Sequence, residues 1–197
     1  MSRLLIVTGI PGTGKSTVCN EFLSLAEEEG IKVKVINFGT IMLELLKSAG
    51  KDLDRDAIRH SSVSFQRSLQ ENAVKKINKI VTASDCDVIL DTHMAIRTEE
   101  GYLPGLPLYV LEQLKPSFLI LVESPVEDVI ARRNRDKTRI REVTEKSDVE
   151  EELLSSRVMA LTCSVISGAP VKIIRNLEGR QREAALELLE LFGCKHK

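Results

Sequence analysis

Gly9-Ile10-Pro11-Gly12-Thr13-Gly14-Lys15-Ser16 is the stretch that decides how this chain folds. It matches G-x-x-x-x-G-K-[ST] in full, after the apolar run Leu4-Leu5-Ile6-Val7 and before a helical pattern over 16–29 that stops at Gly30. A strand, a glycine loop and a helix in that order form an anion cradle. The glycines allow backbone angles that turn successive N–H groups inward, and the helix N-terminus adds positive potential. Lys15 can reach the outer phosphates of a nucleoside triphosphate, and the Ser16 hydroxyl can ligate Mg²⁺. A chance glycine-rich turn is the bland alternative, and the flanking strand and helix argue against it.

Outward from the loop, apolar runs at 4–7, 31–36, 87–90, 118–122 and 171–174 read as strands buried on both faces. Helical patterns over 40–49, 54–60, 64–83, 107–114, 125–136, 148–166 and 180–191 separate or follow them. The expectation is an α/β P-loop NTPase fold, a five-stranded parallel sheet with helices on both faces, in one domain of 197 residues. Two segments fit poorly. Residues 38–70 are helical but inserted between the second and third strands, and 132–146 are dense in charge without an apolar period. They are expected to form a flap and a lid on the ligand edge, around a core of 1–37, 71–131 and 147–197.

Composition narrows the partners. A formal net charge of -1, with 43% hydrophobic and 29% charged residues, argues against a whole-surface nucleic-acid or membrane binder. Cys19, Cys86, Cys163 and Cys194 are scattered without a Cys-x-x-Cys pair, so no structural zinc is expected. Free thiols fit a reducing cytosol, and the apolar run near the N-terminus is too short for a signal peptide. A cytoplasmic location is the expectation.

Asp91 closes the strand Asp87-Val88-Ile89-Leu90, at the carboxyl edge where open α/β sheets place ligands. A carboxylate there can position Mg²⁺, directly or through water; capping the next turn is the alternative. His93 reads as a structural residue near the site. Arg132, Arg133, Arg135, Arg139 and Arg141 crowd into ten residues. Phosphoryl transfer needs positive charge spread over the transferring oxygens and water kept out, which planar guanidinium groups on a closing lid supply. A solvated helix face paired with Glu127, Asp128, Asp136 and Glu142 is the competing reading. Arg139 and Arg141, in the least regular stretch, are the preferred lid arginines. Arg97 lies just past the Asp91 turn, Arg157 on the helix after the lid, and Arg55 and Arg59 one helical turn apart in the flap. A switch GTPase would carry an Asn-Lys-x-Asp motif after a late strand. Here Asn78-Lys79-Ile80-Val81 falls inside a helical pattern and lacks the aspartate.

Together these residues resemble an adenylate kinase of the short archaeal type. The resemblance covers nearly the whole chain. It rests on Val7 to Thr17, on Asn37-Phe38-Gly39-Thr40 with Met42, and on Asp54-Arg55-Asp56 with Arg59. It continues through Asp91-Thr92-His93, Ile96-Arg97-Thr98 and the distinctive Gly101-Tyr102-Leu103-Pro104-Gly105-Leu106-Pro107. Arg135-Asp136, Thr138-Arg139, Arg141, Asn176 and Glu178-Gly179 complete it. The resemblance implies transfer of the γ-phosphoryl of ATP to AMP, giving two ADP, with Mg²⁺. It implies that Gly9, Ile10, Pro11, Gly12, Thr13, Gly14, Lys15, Ser16 and Thr17 hold the ATP phosphates, and that Asn176 to Gly179 border the adenine. Gly39, Met42, Arg59 and Arg97 would form the AMP site, and Arg135, Arg139, Arg141 and Arg157 would close over the transferring phosphate. A homotrimer is also implied. One departure is Glu44, where common bacterial and eukaryotic relatives carry an arginine that touches the acceptor phosphate; that contact is reassigned to Arg55 or Arg59. A kinase for another monophosphate or small acceptor, and a non-catalytic nucleotide-gated switch, stand as alternatives.

Overall fold

The computed structural model describes residues 2–54, 57–58, 60–98, 101–135 and 145–193. Its central element is a five-stranded parallel sheet in the order β2-β3-β1-β6-β7, built from β1 (Leu4–Thr8), β2 (Val33–Asn37), β3 (Asp87–Asp91), β6 (Phe118–Glu123) and β7 (Val171–Arg175). The side chains of each central strand divide between two cores, as a pleated strand demands. Leu4, Ile6, Val88, Leu90, Leu119 and Leu121 face one core, and Leu5, Val7, Ile89, Ile120 and Val122 the other. Each such burial removes a whole aliphatic side chain from water, worth about 1.5–3 kcal/mol.

Helices cover both faces. α1 (Lys15–Glu28) and α7 (Gln181–Leu189) close the second core through Val18, Phe22, Leu25, Ala185 and Leu188. α2 (Phe38–Ser48), α3 (Val63–Ala83), α4 (Leu108–Leu114) and α6 (Lys146–Ser167) contribute Phe38, Ile41, Ala73, Ile77, Val110, Leu111 and Ala160 to the first. α5 (Val126–Arg135) packs Val129 against Ile10 and Val149 in a small separate cluster. Another satellite cluster of Leu46, Ile58 and Leu69 lies within 38–70, the span read from sequence as a flap.

The sheet, its parallel sense and the two-sided covering are as the apolar runs imply. One element is new. β4 (Ala95–Thr98) and β5 (Gly101–Pro104) form an antiparallel hairpin, with Arg97 opposite Tyr102. A Gly at one end of β5 and a Pro at the other disguise it in the sequence. Residues 55, 56 and 59 of the helix expected over 54–60, and 136–144 of the lid expected over about 132–146, lie outside the described residues.

Candidate active site

β1, β3, β6 and β7 all end on one edge, and their last residues make the site. The loop after β1 enters α1 through Gly14, whose φ of 75° lies in the left-handed region that favours glycine. A Cβ there would also stand 2.3 Å from Asn176 Nδ2.

Five consecutive loop carbonyls are held, four of them from outside the loop and Ile10 O from within it. His93 Nδ1 lies 2.9 Å from Gly9 O, which fixes the proton on Nδ1 because a carbonyl only accepts. Thr13 Oγ1 donates to Ile10 O at 3.0 Å, and Arg133 Nε to Pro11 O at 2.9 Å. Arg132 Nη1 donates to Gly12 O at 3.3 Å. Thr13 O accepts from Ser124 Oγ at 3.1 Å and from Asn176 Nδ2 at 2.8 Å. The Thr13 N–H also donates to Ile10 O at 3.3 Å, and the N–H groups at the start of α1 are placed for an anion.

Lys15 is buried and its ammonium is ion-paired with Asp91, which also accepts from Asn37 Nδ2 at 2.9 Å. Asn37 and Asp91 are register partners at the ends of β2 and β3, so the sheet itself brings the amide to the carboxylate. Ser16 and Thr17 are exposed on the first turn of α1. One turn further, burial and then the Asp91 charge push the Cys19 thiol up to about 12, against the opposing pull of Lys15. It is a packing residue, inert as a nucleophile.

The arginines are held by carboxylates. Arg133 makes a two-pronged pair with Glu152, at 3.0 and 2.7 Å, with side chains 6% and 12% exposed. Arg97 is 3.0 Å from Asp148 and 3.9 Å from the same Glu152. Arg157 pairs through both arms with Glu123, at the end of β6. Arg132 and Arg135 share Glu178, at 2.9 and 3.0 Å. Those two guanidinium groups hold the Glu178 carboxyl below its ordinary range. Arg55, Arg59, Arg139 and Arg141 lie outside the described residues.

A cleft opens beside the loop, lined by Asn37, Phe38, Gly39, Met42, Ile58, Gln66, Gln70, Thr92, His93, Ile96 and Gly105, with Asp91 at its floor. Gly105 has no room for a side chain, since a Cβ would stand 1.8 Å from His93 O. A second hollow lies between the loop and the hairpin, bounded by Ile10, Pro11, Arg97, Tyr102, Arg133 and Glu152. Gly39 and Met42 thus line the cleft and Arg97 the second hollow, with His93 and Ile96 common to both. Glu44 is turned away, paired with Lys76 at 2.6 Å.

Sequence reasoning missed the support that several residues give the loop, Asn176 among them, which it placed only beside the donor adenine. Arg132, Arg133, Ser124 and Asn176 buttress the loop, and Asn176 is fully buried beneath it, with Gly179 in the turn beyond. The signal available was position. Glu123-Ser124 and Arg175-Asn176 are polar pairs that directly follow apolar runs ending beside the loop.

A family model described as an AAA domain matches residues 8–150. The adenylate kinase of Methanocaldococcus jannaschii is 38% identical over 191 residues, covering 97% of this chain and 98% of that protein. That of Methanococcus aeolicus is 36% identical over 190 residues, covering 96% and 97%. Among solved structures, a shikimate kinase from Acinetobacter baumannii in complex with shikimate aligns with a TM-score of 0.60 at 16% identity, covering 98% of this chain and 93% of that one. TT1252 from Thermus thermophilus aligns with a TM-score of 0.62 at 14% identity, covering 98% and 99%. At those identities the solved structures speak to the fold alone. The sequence relatives speak to more, and the chain belongs to the adenylate kinase family.

Proposed function

We propose that the chain catalyses the reversible transfer of the γ-phosphoryl of ATP to AMP, giving two ADP. It is a nucleoside monophosphate kinase. One observation supports the choice of a two-nucleotide reaction: the phosphate loop and the apolar cleft meet at His93 and Asp91, with Arg97 in the adjoining hollow. A donor cradled on 9–17 and an acceptor in the cleft would bring their phosphates together at that junction.

No side-chain base is needed, because the acceptor phosphate oxygen is already a nucleophile. Catalysis is positioning and charge stabilisation. Lys15 would move from Asp91 to the donor phosphates, and Arg97 from Asp148 to the acceptor phosphate. Arg135, Arg139, Arg141 and Arg157 would gather over the transferring group, with Arg55 and Arg59 on the acceptor side. Gly39 and Met42 would border the acceptor nucleoside, and Asn176 to Gly179 the donor adenine. The spans 38–70 and about 132–146 would act as flap and lid.

Mg²⁺ suits the donor set here, an exposed Ser16 hydroxyl and the Asp91 carboxylate, which are hard oxygen ligands. Among the described residues no cluster of three or more His, Cys, Asp or Glu could hold a metal, so Mg²⁺ would arrive with the nucleotide. Bound there, it would neutralise charge on the transferring phosphates.

Among the described residues no helix is long and apolar enough to cross a membrane. We infer a cytoplasmic enzyme and a homotrimer. Leu154, Val158, Leu161 and Val165 on α6 are 52–86% exposed and recur at spacings of four, three and four. Such a stripe is a helix-packing seam.

Supplying ADP and Mg²⁺ alone tests the reaction. The expected result is disproportionation into equal amounts of ATP and AMP. Release of inorganic phosphate, or no turnover, would point to a nucleotide-gated switch instead.

A further inference from the structure

The cleft beside the phosphate loop has apolar walls from Phe38, Met42, Ile58 and Ile96, and three side-chain amides, of which Asn37 donates to Asp91 and accepts from the Thr40 N–H. Gln66 is committed, its Nε2 donating to Ser61 O at 2.9 Å. Gln70 is held differently. Its Oε1 accepts from the Tyr109 hydroxyl, while its Nε2 has no protein partner among the described residues.

A primary amide has nearly the same shape at its two ends and opposite functions. Half a turn exchanges donor for acceptor. Adenine offers an unprotonated N1 beside an amino group, whereas a 6-oxopurine offers N1–H beside O6. A glutamine free to turn serves both edges. Tyr109 removes that freedom, because a phenol donates better than it accepts, its oxygen lone pair being shared with the ring. The tyrosine is itself fixed. Its ring packs against the first core, and the Arg67 guanidinium lies 4.8 Å from its centroid. Burial raises the Tyr109 pKa against the pull of Arg67, so the donated proton stays in place across the physiological range.

We propose that Tyr109 is a specificity-positioning residue: by holding Gln70 Oε1 it presents the Gln70 amide N–H into the cleft, so that an acceptor base with an unprotonated ring nitrogen is chosen over a 6-oxopurine. A base meeting that N–H with its own N1–H leaves two donors facing each other without water, a mismatch that sites built on hydrogen bonds reject strongly. This rests on the proposed phosphotransfer to AMP.

The test compares AMP with IMP, which differ at this edge alone, in wild type, Tyr109→Phe and Gln70→Glu. Tyr109→Phe should lower the AMP-to-IMP ratio of kcat/KM by about tenfold, equivalent to about 1.4 kcal/mol of discrimination. Its kcat with AMP should stay within about twofold while KM rises. Gln70→Glu, whose carboxylate only accepts, should raise IMP turnover relative to AMP, and it carries the test if Tyr109→Phe does not fold. An unchanged ratio in Tyr109→Phe, with both substrates weakened together, would overturn the proposal and make the contact merely structural. An unchanged ratio in Gln70→Glu would do the same. A wild type that phosphorylates neither nucleotide would instead overturn the phosphotransfer reading, before any variant is compared.

Discussion

The ammonium of Lys15 is ion-paired with the carboxylate of Asp91, across the mouth of the phosphate loop and between the ends of β1 and β3. Both groups are buried, so each is the other's charge partner until phosphate enters. On the proposed reading, nucleotide binding would be an exchange: phosphate would take Lys15 and free Asp91, with Asn37 still attached, for the metal carried by the nucleotide.

Lys15→Ala should lower kcat/KM by at least about 10³-fold, the scale for losing a charged stabiliser of a phosphoryl transition state. The fold should persist by circular dichroism, with a lower Tm because, among the described side chains, Asp91 keeps Asn37 alone as a hydrogen-bond partner. Transfer at near-native rate would refute the role given to the loop.

Arg97 faces the hollow between the loop and the hairpin and is held there by Asp148. Arg97→Ala should raise the KM for AMP by about 10–100-fold, as expected for a charge-assisted contact worth about 1.5–3 kcal/mol. The KM for ATP should move far less. Equal effects on the two substrates would contradict an acceptor-side role.

Glu152 joins Arg133, and through it the Pro11 carbonyl, to the edge of the Arg97 site. Removing one partner of a buried, two-pronged pair costs about 3–5 kcal/mol, because the other is left buried and charged. Glu152→Gln should lower Tm by about 6–20 °C, at about 2–4 °C per kcal/mol for a chain of this size. A Tm within 2 °C or so of wild type would show the pair to be dispensable.

How far these residues were legible in the sequence differs by type. The sheet was, because strands buried on both faces print unbroken apolar runs such as Leu4-Leu5-Ile6-Val7 and Leu119-Ile120-Leu121-Val122. The loop was, because glycines and Lys15 must stand at fixed spacing. The hairpin at 95–104 was not, since Gly101 and Pro104 read as loop residues and its pairing depends on the fold around it. Arg133 shows a further limit. It is one of five clustered arginines, and nothing local distinguishes it from Arg135, which is 65% exposed. Burial against Pro11 and Glu152 is set by helix packing over long sequence separations, which periodicity does not record.

Asp87 holds the N-terminal strand through Arg3. Its carboxylate accepts from the Arg3 backbone N–H at 2.7 Å and from the guanidinium at 2.9 and 2.6 Å. Burial alone would raise its pKa, but the Arg3 bonds and charge outweigh it and hold the carboxyl below the ordinary aspartate value. A depressed folded-state pKa stabilises above the unfolded value, about 3.9, and that contribution is lost as pH falls through the folded one. Asp87→Asn should cost about 0.5–1 kcal/mol at pH 7, measured by urea unfolding, and the difference from wild type should shrink below about pH 4. A penalty that does not change between pH 7 and pH 3 would rule out a charge-based role.

The central claim is transfer to AMP, and a coupled assay of ADP formation tests it most directly, with ATP–Mg²⁺ offered AMP, GMP, CMP, UMP and dTMP in parallel. Rapid ADP formation with AMP, and little with the others, is the predicted result. Preference for a different monophosphate would leave the fold and the phosphate loop standing and contradict the adenylate kinase reading, and no transfer to any of the five would contradict phosphotransfer itself.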